Sequence, residues 1–231
     1  YFLHYDKIEI SEEIPRPYIF IISLGILFLI SFYDFKKGIH PIYRLVCQIL
    51  VVFLSLTLIK LPIVSETFIP LKLQYLFVII FWVYIINITN FVDGLDGLIG
   101  FSTIGFFLNI LIYLFLFKIN SINVYISLLA ISVLIPFLIF NKPKAKIFLN
   151  DLGSIPLGYI VGYTILNLCQ NNQWYFALSI FLYFILDVTL TLVLKIKKGH
   201  YPWARMFDYL FLQPVIKGGK NHWYVLRFII G

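Results

Sequence analysis

Seven apolar runs dominate this chain, most of them close to the roughly 20 residues an α-helix needs to cross the hydrocarbon of a bilayer. They cover 18–33, 45–61, 73–90, 98–117, 124–140, 156–169 and 174–194, and an eighth begins near Trp223. One soluble core cannot hide so much apolar surface: 61% of the 231 residues are hydrophobic. The expected fold is therefore all-α, a polytopic transmembrane helix bundle of about seven complete spans plus the start of an eighth, with 1–231 forming a single integral membrane domain. The 156–169 run is short and holds Gly158 and Gly162, so it is expected to tilt or to be lengthened by its flanks. Prolines 15, 17, 41, 62, 70, 143 and 202 fall mostly between runs, where a missing backbone donor does least harm.

Seven crossings make two sets of loops with unequal charge. One set holds Lys36, Lys37, Arg44, Lys142, Lys144, Lys146, Lys195, Lys197, Lys198, Arg205, Lys217 and Lys220, which is 12 of the 18 basic residues. The positive-inside rule makes that set cytoplasmic, including the loop 195–222. Asp34, Asp93, Asp96, Asp151 and Asp208 then fall on the same side, near the inner ends of spans, while Asp6, Glu9, Glu12, Glu13 and Glu66 are external. Only 13% of the chain is charged, and an acid close to hydrocarbon is costly, so the inner group is a candidate for function. Topology accounts for the lysines, and the net charge of +7 is no argument for nucleic acid. Cys47 and Cys169 lie in apolar runs and support neither a disulfide framework nor a four-ligand zinc site.

Carboxylates from several loops beside many lysines suit a divalent metal and a phosphorylated ligand. Magnesium takes oxygen ligands, usually one or two carboxylates plus substrate phosphates. Asp93 and Asp96 stand in Asn90-Phe-Val-Asp93-Gly-Leu-Asp96-Gly97; if they open a helix, their spacing puts both on one face, and Gly94 and Gly97 let a ligand approach closely. A second segment, Phe140-Asn141-Lys-Pro-Lys-Ala-Lys146-Ile-Phe148-Leu-Asn150-Asp151-Leu-Gly153-Ser154, is a lysine-bearing loop ending just before a span. Backbone donors at that helix start suit a phosphate. Asp151 could reach a metal.

Together the two segments resemble the polyprenyl-phosphate N-acetylhexosamine-1-phosphate transferases, over about Phe32 to Lys198. The resemblance implies that Asp151 binds magnesium, with manganese as a substitute, and that Asp93 and Asp96 are paired acids, one of them near the nucleotide. It implies a polar active-site role for Asn141, stacking on uracil for Phe148 and a phosphate contact for Lys146. Asn90, Gly153 and Ser154, within the two motifs, join the substrate-binding set. Asp34, ten residues before Arg44, matches the first acid of an Asp-Asp loop and is the candidate base or nucleophile. The implied reaction moves a sugar 1-phosphate from a UDP-N-acetylhexosamine to a polyprenyl (undecaprenyl) phosphate, releases UMP and starts a lipid-linked cell-envelope polysaccharide. The implied setting is the bacterial inner membrane, with a homodimer allowed.

Phe35 replaces the second acid of the pair, Asn150 stands where glycine is common, and the loop after Leu194 lacks clustered histidines, offering His200 and His222. The family also has spans before Asp34 and beyond Gly231, so the chain reads as an interior piece of a longer protein. Two other readings stand beside the transferase. In an ion-coupled secondary transporter, Asp93, Asp96 and the mid-span Asp187 would line a cation path. The other is a catalytically inactive relative acting as an assembly partner.

Overall fold

The computed structural model describes residues 16–59, 70–170, 173–201 and 209–230. Helices follow one another in the order α1 (Pro17–Lys37), α2 (Pro41–Ser55), α3 (Leu71–Val92), α4 (Leu98–Leu116), α5 (Ile122–Asn141), α6 (Asn150–Gln170), α7 (Trp174–Lys197), α8 (Gln213–Ile216) and α9 (His222–Ile230). Short 3-10 turns extend α2 over Leu56–Leu58 and precede α8 over Leu210–Leu212. No strand occurs among the described residues. α1 to α6, with α2 counted through Leu58, are each long and apolar enough to cross a membrane. α7 has 24 residues. The chain is a multi-pass membrane protein.

Helix starts follow local chemistry more closely than hydropathy. α2 begins at Pro41 rather than near 45, because proline's fixed φ suits the first helical position and His40 Nδ1 accepts the Ile42 N–H at 3.4 Å. α6 begins at Asn150, six residues before its apolar run, with Asp151 in the first turn where the helix dipole favours an acid. Asp151, Gly153 and Ser154 are therefore helical residues rather than the end of a loop.

Lengthened in this way, α6 becomes the centre of the bundle. Of its most apolar 18 residues 72% are buried, against 22% for α1 and α5. Its closest neighbour is α3. A Cβ on Gly158 would lie 2.7 Å from Ile86 Cα, and one on Gly162 would run into the Trp82 ring. Lipid tails are as apolar as leucine, so helices in a membrane gain from close approach and from polar contacts between them. Here Trp82 Nε1 donates to the Tyr159 carbonyl at 3.0 Å, and Tyr159 Oη donates to Ser55 Oγ at 2.8 Å, itself 2.9 Å from Ser23 Oγ. Asn87 to Gln48 and Asn123 to Asn167 bind α3 to α2 and α5 to α6. Cys47 and Cys169 are unpaired and partly buried.

Because successive long helices alternate in direction, one end of the bundle collects the ends of α1, α3, α5 and α7 and the starts of α2, α4 and α6. Every acid set apart by the sequence and described here, except Asp187, lies at that end.

Candidate functional site

Asp34 occupies the last turn of α1. Gly38 ends that helix with φ +69°, donating to the Asp34 carbonyl at 2.8 Å, and the turn that follows brings the Ile39 N–H onto Asp34 Oδ1. The same turn starts α2, and α2 carries Arg44 back over Asp34. Arg44 Nη1 lies 2.8 Å from Asp34 Oδ2 and also contacts Asp151 Oδ2. Two carboxylates from different helices thus converge on one cationic group. The other oxygen of Asp151 accepts from Asn90 Nδ2 at 2.6 Å, and the same amide reaches Ser154 Oγ at 2.9 Å, so α3 and α6 meet at the site through Asn90.

Asp93 caps the end of α3 and accepts the Asn150 N–H at 2.9 Å. Burial pushes its carboxyl up to about 7, against a smaller lowering by the Asn150 hydrogen bond. Asp34, Arg44, Asn90, Asp93, Asp151 and Lys195 line one cavity of about 760 Å³ with Phe35 and Tyr209. Phe35 is two-thirds exposed at this position, so the missing second acid leaves an apolar side chain beside Asp34.

Asp96 goes elsewhere. The expectation of one shared helical face fails because Asp93 to Gly97 form the turn between α3 and α4, closed by Gly97 at φ +79°, and not a helix start. Asp96 Oδ2 accepts the Lys144 and Ala145 N–H groups at 3.2 and 3.3 Å and lies 3.1 Å from His222 Nδ1. Asn141, buried, strengthens the same junction: its Oδ1 accepts the Gly97 N–H at 3.1 Å and its Nδ2 donates to the Ile147 carbonyl at 2.9 Å. Asp96 and Asn141 fix the loop between α5 and α6 against the α3–α4 turn. That loop presents Lys146 and Phe148 exposed, outside the cavity lining. Gly153 faces the Leu149 side chain, whose carbons a Cβ would meet at 2.6 Å. Asp187 is buried in α7 and accepts the Leu210 and Phe211 N–H groups. His200 is exposed. The external acids, Arg205 and Asp208 lie outside the described residues.

The donor chemistry fits magnesium. No cluster of three or more His, Cys, Asp or Glu side chains that could hold a metal unaided occurs among the described residues. Oxygen-only carboxylates nonetheless converge, and Arg44 between Asp34 and Asp151 marks where they accept positive charge. Such a partial set suits an ion that keeps waters and takes substrate phosphates. Two cavity residues escaped the sequence reading as ligands. Arg44 was signalled only by its distance from Asp34; Lys195 was absorbed into the lysine count that set the topology.

A family model described as glycosyl transferase family 4 matches residues 17–169. A phospho-N-acetylmuramoyl-pentapeptide-transferase of Dictyoglomus turgidum is 32% identical over 95% of this chain and 73% of its own length. One of Thermotoga maritima is 28% identical over 78% of this chain and 61% of its own. A third, of Staphylococcus saprophyticus, is 42% identical over 40% of this chain and 29% of its own. The chain thus spans about three fifths of the Thermotoga relative.

Proposed function

The chain belongs to glycosyl transferase family 4, and from that premise we propose that it transfers a sugar 1-phosphate of the N-acetylhexosamine type from a UDP-sugar to a polyprenyl phosphate, releasing UMP. The observation that carries this reading is the convergence of Asp34 of α1, Asp93 of the turn after α3 and Asp151 of α6 on one cavity, with Arg44 between two of them. The place proposed for it is the cytoplasmic leaflet of a bacterial inner membrane, with the lysine-rich end of the bundle inward.

In the reaction, an oxygen of the acceptor phosphate forms a bond to the β-phosphorus of the donor. The bond from that phosphorus to the bridging oxygen breaks, and UMP leaves with the bridging oxygen. Asp151 would hold magnesium, which when bound offsets charge on the diphosphate and on the departing UMP. Asn90 keeps the Asp151 carboxylate aimed by donating to one of its oxygens. Asp34 orients the acceptor or takes its last proton; a phosphate monoester with a second pKa of about 6 is already largely ionised at neutral pH and asks little of a base. Arg44 moves between its two carboxylates and the incoming phosphates. Burial raises the Asp93 carboxyl, which favours a protonated form able to donate to a phosphate oxygen. Asp96 and Asn141 organise the loop that offers Phe148 to uracil and Lys146 to phosphate.

Asp151→Asn in the full-length protein tests this. It is expected to abolish magnesium-dependent UMP release while leaving the melting temperature within a few degrees of the parent. Near-normal turnover in that variant would remove Asp151 from the metal site.

A further inference from the structure

Asp187, Thr191 and Lys195 stand at intervals of four along α7 and so share one face of that helix. All three are about 2% exposed. Asp187 accepts the Leu210 N–H at 2.8 Å and the Phe211 N–H at 3.2 Å, and Thr191 Oγ1 lies 3.4 Å from the same carboxylate. These bonds tie the segment 209–212 to α7. Tyr209, the first residue of that segment, stacks on Phe91 of α3 and on Phe211, with ring centroids 5.9 and 5.3 Å apart. Lys195 Nζ lies 5.0 Å over the Tyr209 ring, and both residues line the cavity that holds Asp34, Asp93 and Asp151.

A buried ammonium is kept where negative charge or a π face is within reach. Arg44 and Lys195 thus bring two positive charges to this cavity. The compact head of Lys195 carries three donors, which suits a phosphate oxygen arriving in more than one orientation.

We propose that Lys195 binds a substrate phosphate in this cavity, and that Asp187 is a positioning residue that holds the Tyr209 segment against Lys195. The proposal rests on the transferase reading for the identity of the phosphate. A UDP-sugar and a lipid phosphate present the same chemistry, and experiment separates them.

The test uses the full-length protein in lipid nanodiscs, with UDP and farnesyl phosphate as binding probes and a UDP-sugar with undecaprenyl phosphate for turnover. Lys195→Met is expected to weaken binding of one probe at least tenfold and to raise the KM of the matching substrate similarly. A rise confined to the nucleotide places Lys195 on the diphosphate; a rise confined to the lipid places it on the acceptor. Lys195→Arg should recover part of the loss, and it carries the test if the Met variant does not fold. Binding and KM within twofold of wild type in Lys195→Met, or no recovery with Arg, overturn the proposal. Asp187→Asn and Thr191→Val should speed amide exchange at Leu210 and Phe211 and raise the same KM that Lys195→Met raises. Faster exchange with an unmoved KM makes Asp187 merely structural. A wild-type protein that binds both probes but transfers nothing would sink the transferase reading and leave the binding test of Lys195 intact.

Discussion

Gly158→Ala tests how the packing of α3 and α6 sets the site. The new carbon would lie 2.7 Å from Ile86 Cα and 2.9 Å from Ile86 O, where ordinary contact begins at 3.4 Å. Both obstacles are backbone, so no side chain can swing aside and the helices must part by roughly 0.7 Å. Gly158 is one turn beyond Ser154, and Asn90 spans the same two helices, so its 2.6 Å bond to Asp151 would lengthen to roughly 3.3 Å. That exceeds the usual 2.7–3.2 Å, and misplacement of a catalytic group by about 1 Å costs on the order of 100-fold in rate. Overpacking costs about 1–3 kcal/mol, offset by up to about 1 kcal/mol because alanine favours helix over glycine. The expected outcome is a lower melting temperature in detergent and a 10- to 100-fold slower UMP release. Gly105→Ala, with no atom within 4 Å of its Cβ, is the control: equal or higher melting temperature, unchanged rate. A Gly158→Ala protein that melts no lower than Gly105→Ala and turns over within twofold of wild type would refute the reasoning.

The remaining predictions concern the two acids of the α3–α4 turn. Asp93 is raised from 3.8 to about 7 in the folded protein, so its burial costs nothing below about pH 4 and destabilises increasingly as pH rises towards 7. At about 1.4 kcal/mol per pKa unit the loss is at most about 4 kcal/mol. In metal-free buffer Asp93→Asn should therefore melt progressively higher than wild type between pH 5 and 7.5; parallel melting curves would contradict this. Asp96→Ala should free the Lys144 and Ala145 amides and cost about 1–3 kcal/mol, read as faster amide exchange there. Its rate should fall less than that of Asp151→Asn, since Asp96 lies outside the cavity lining; equal losses would put Asp96 in the chemistry.

Six helices long and apolar enough to cross a membrane were legible because runs of about 20 apolar residues have few uses other than crossing lipid. What hydropathy concealed was the rank of α6. Its first turn is polar, Asn150-Asp151, so the apolar run begins late and looks short, although an acid at a helix start is itself a signal. Asp34, Asp93 and Asp151 stood out for the cost of charge beside hydrocarbon. Asp96 did too, and only the turn geometry separates it from Asp93, because three-residue spacing means a shared face in a helix and nothing of the kind in a turn. Lys195 was hidden by abundance: one lysine among many at the charged end, distinguished by the buried column it shares with Asp187 and Thr191.

The central claim, that sugar and phosphate move together onto a lipid phosphate, is tested by a donor labelled in both the sugar and the β-phosphorus. Full-length protein would be incubated with undecaprenyl phosphate, magnesium and a panel of UDP-N-acetylhexosamines so labelled. The account predicts, for at least one donor, both labels in the lipid fraction in a 1:1 ratio, with unlabelled UMP in the aqueous phase. Sugar label in the lipid without its phosphorus, or no lipid label with any donor, would contradict it.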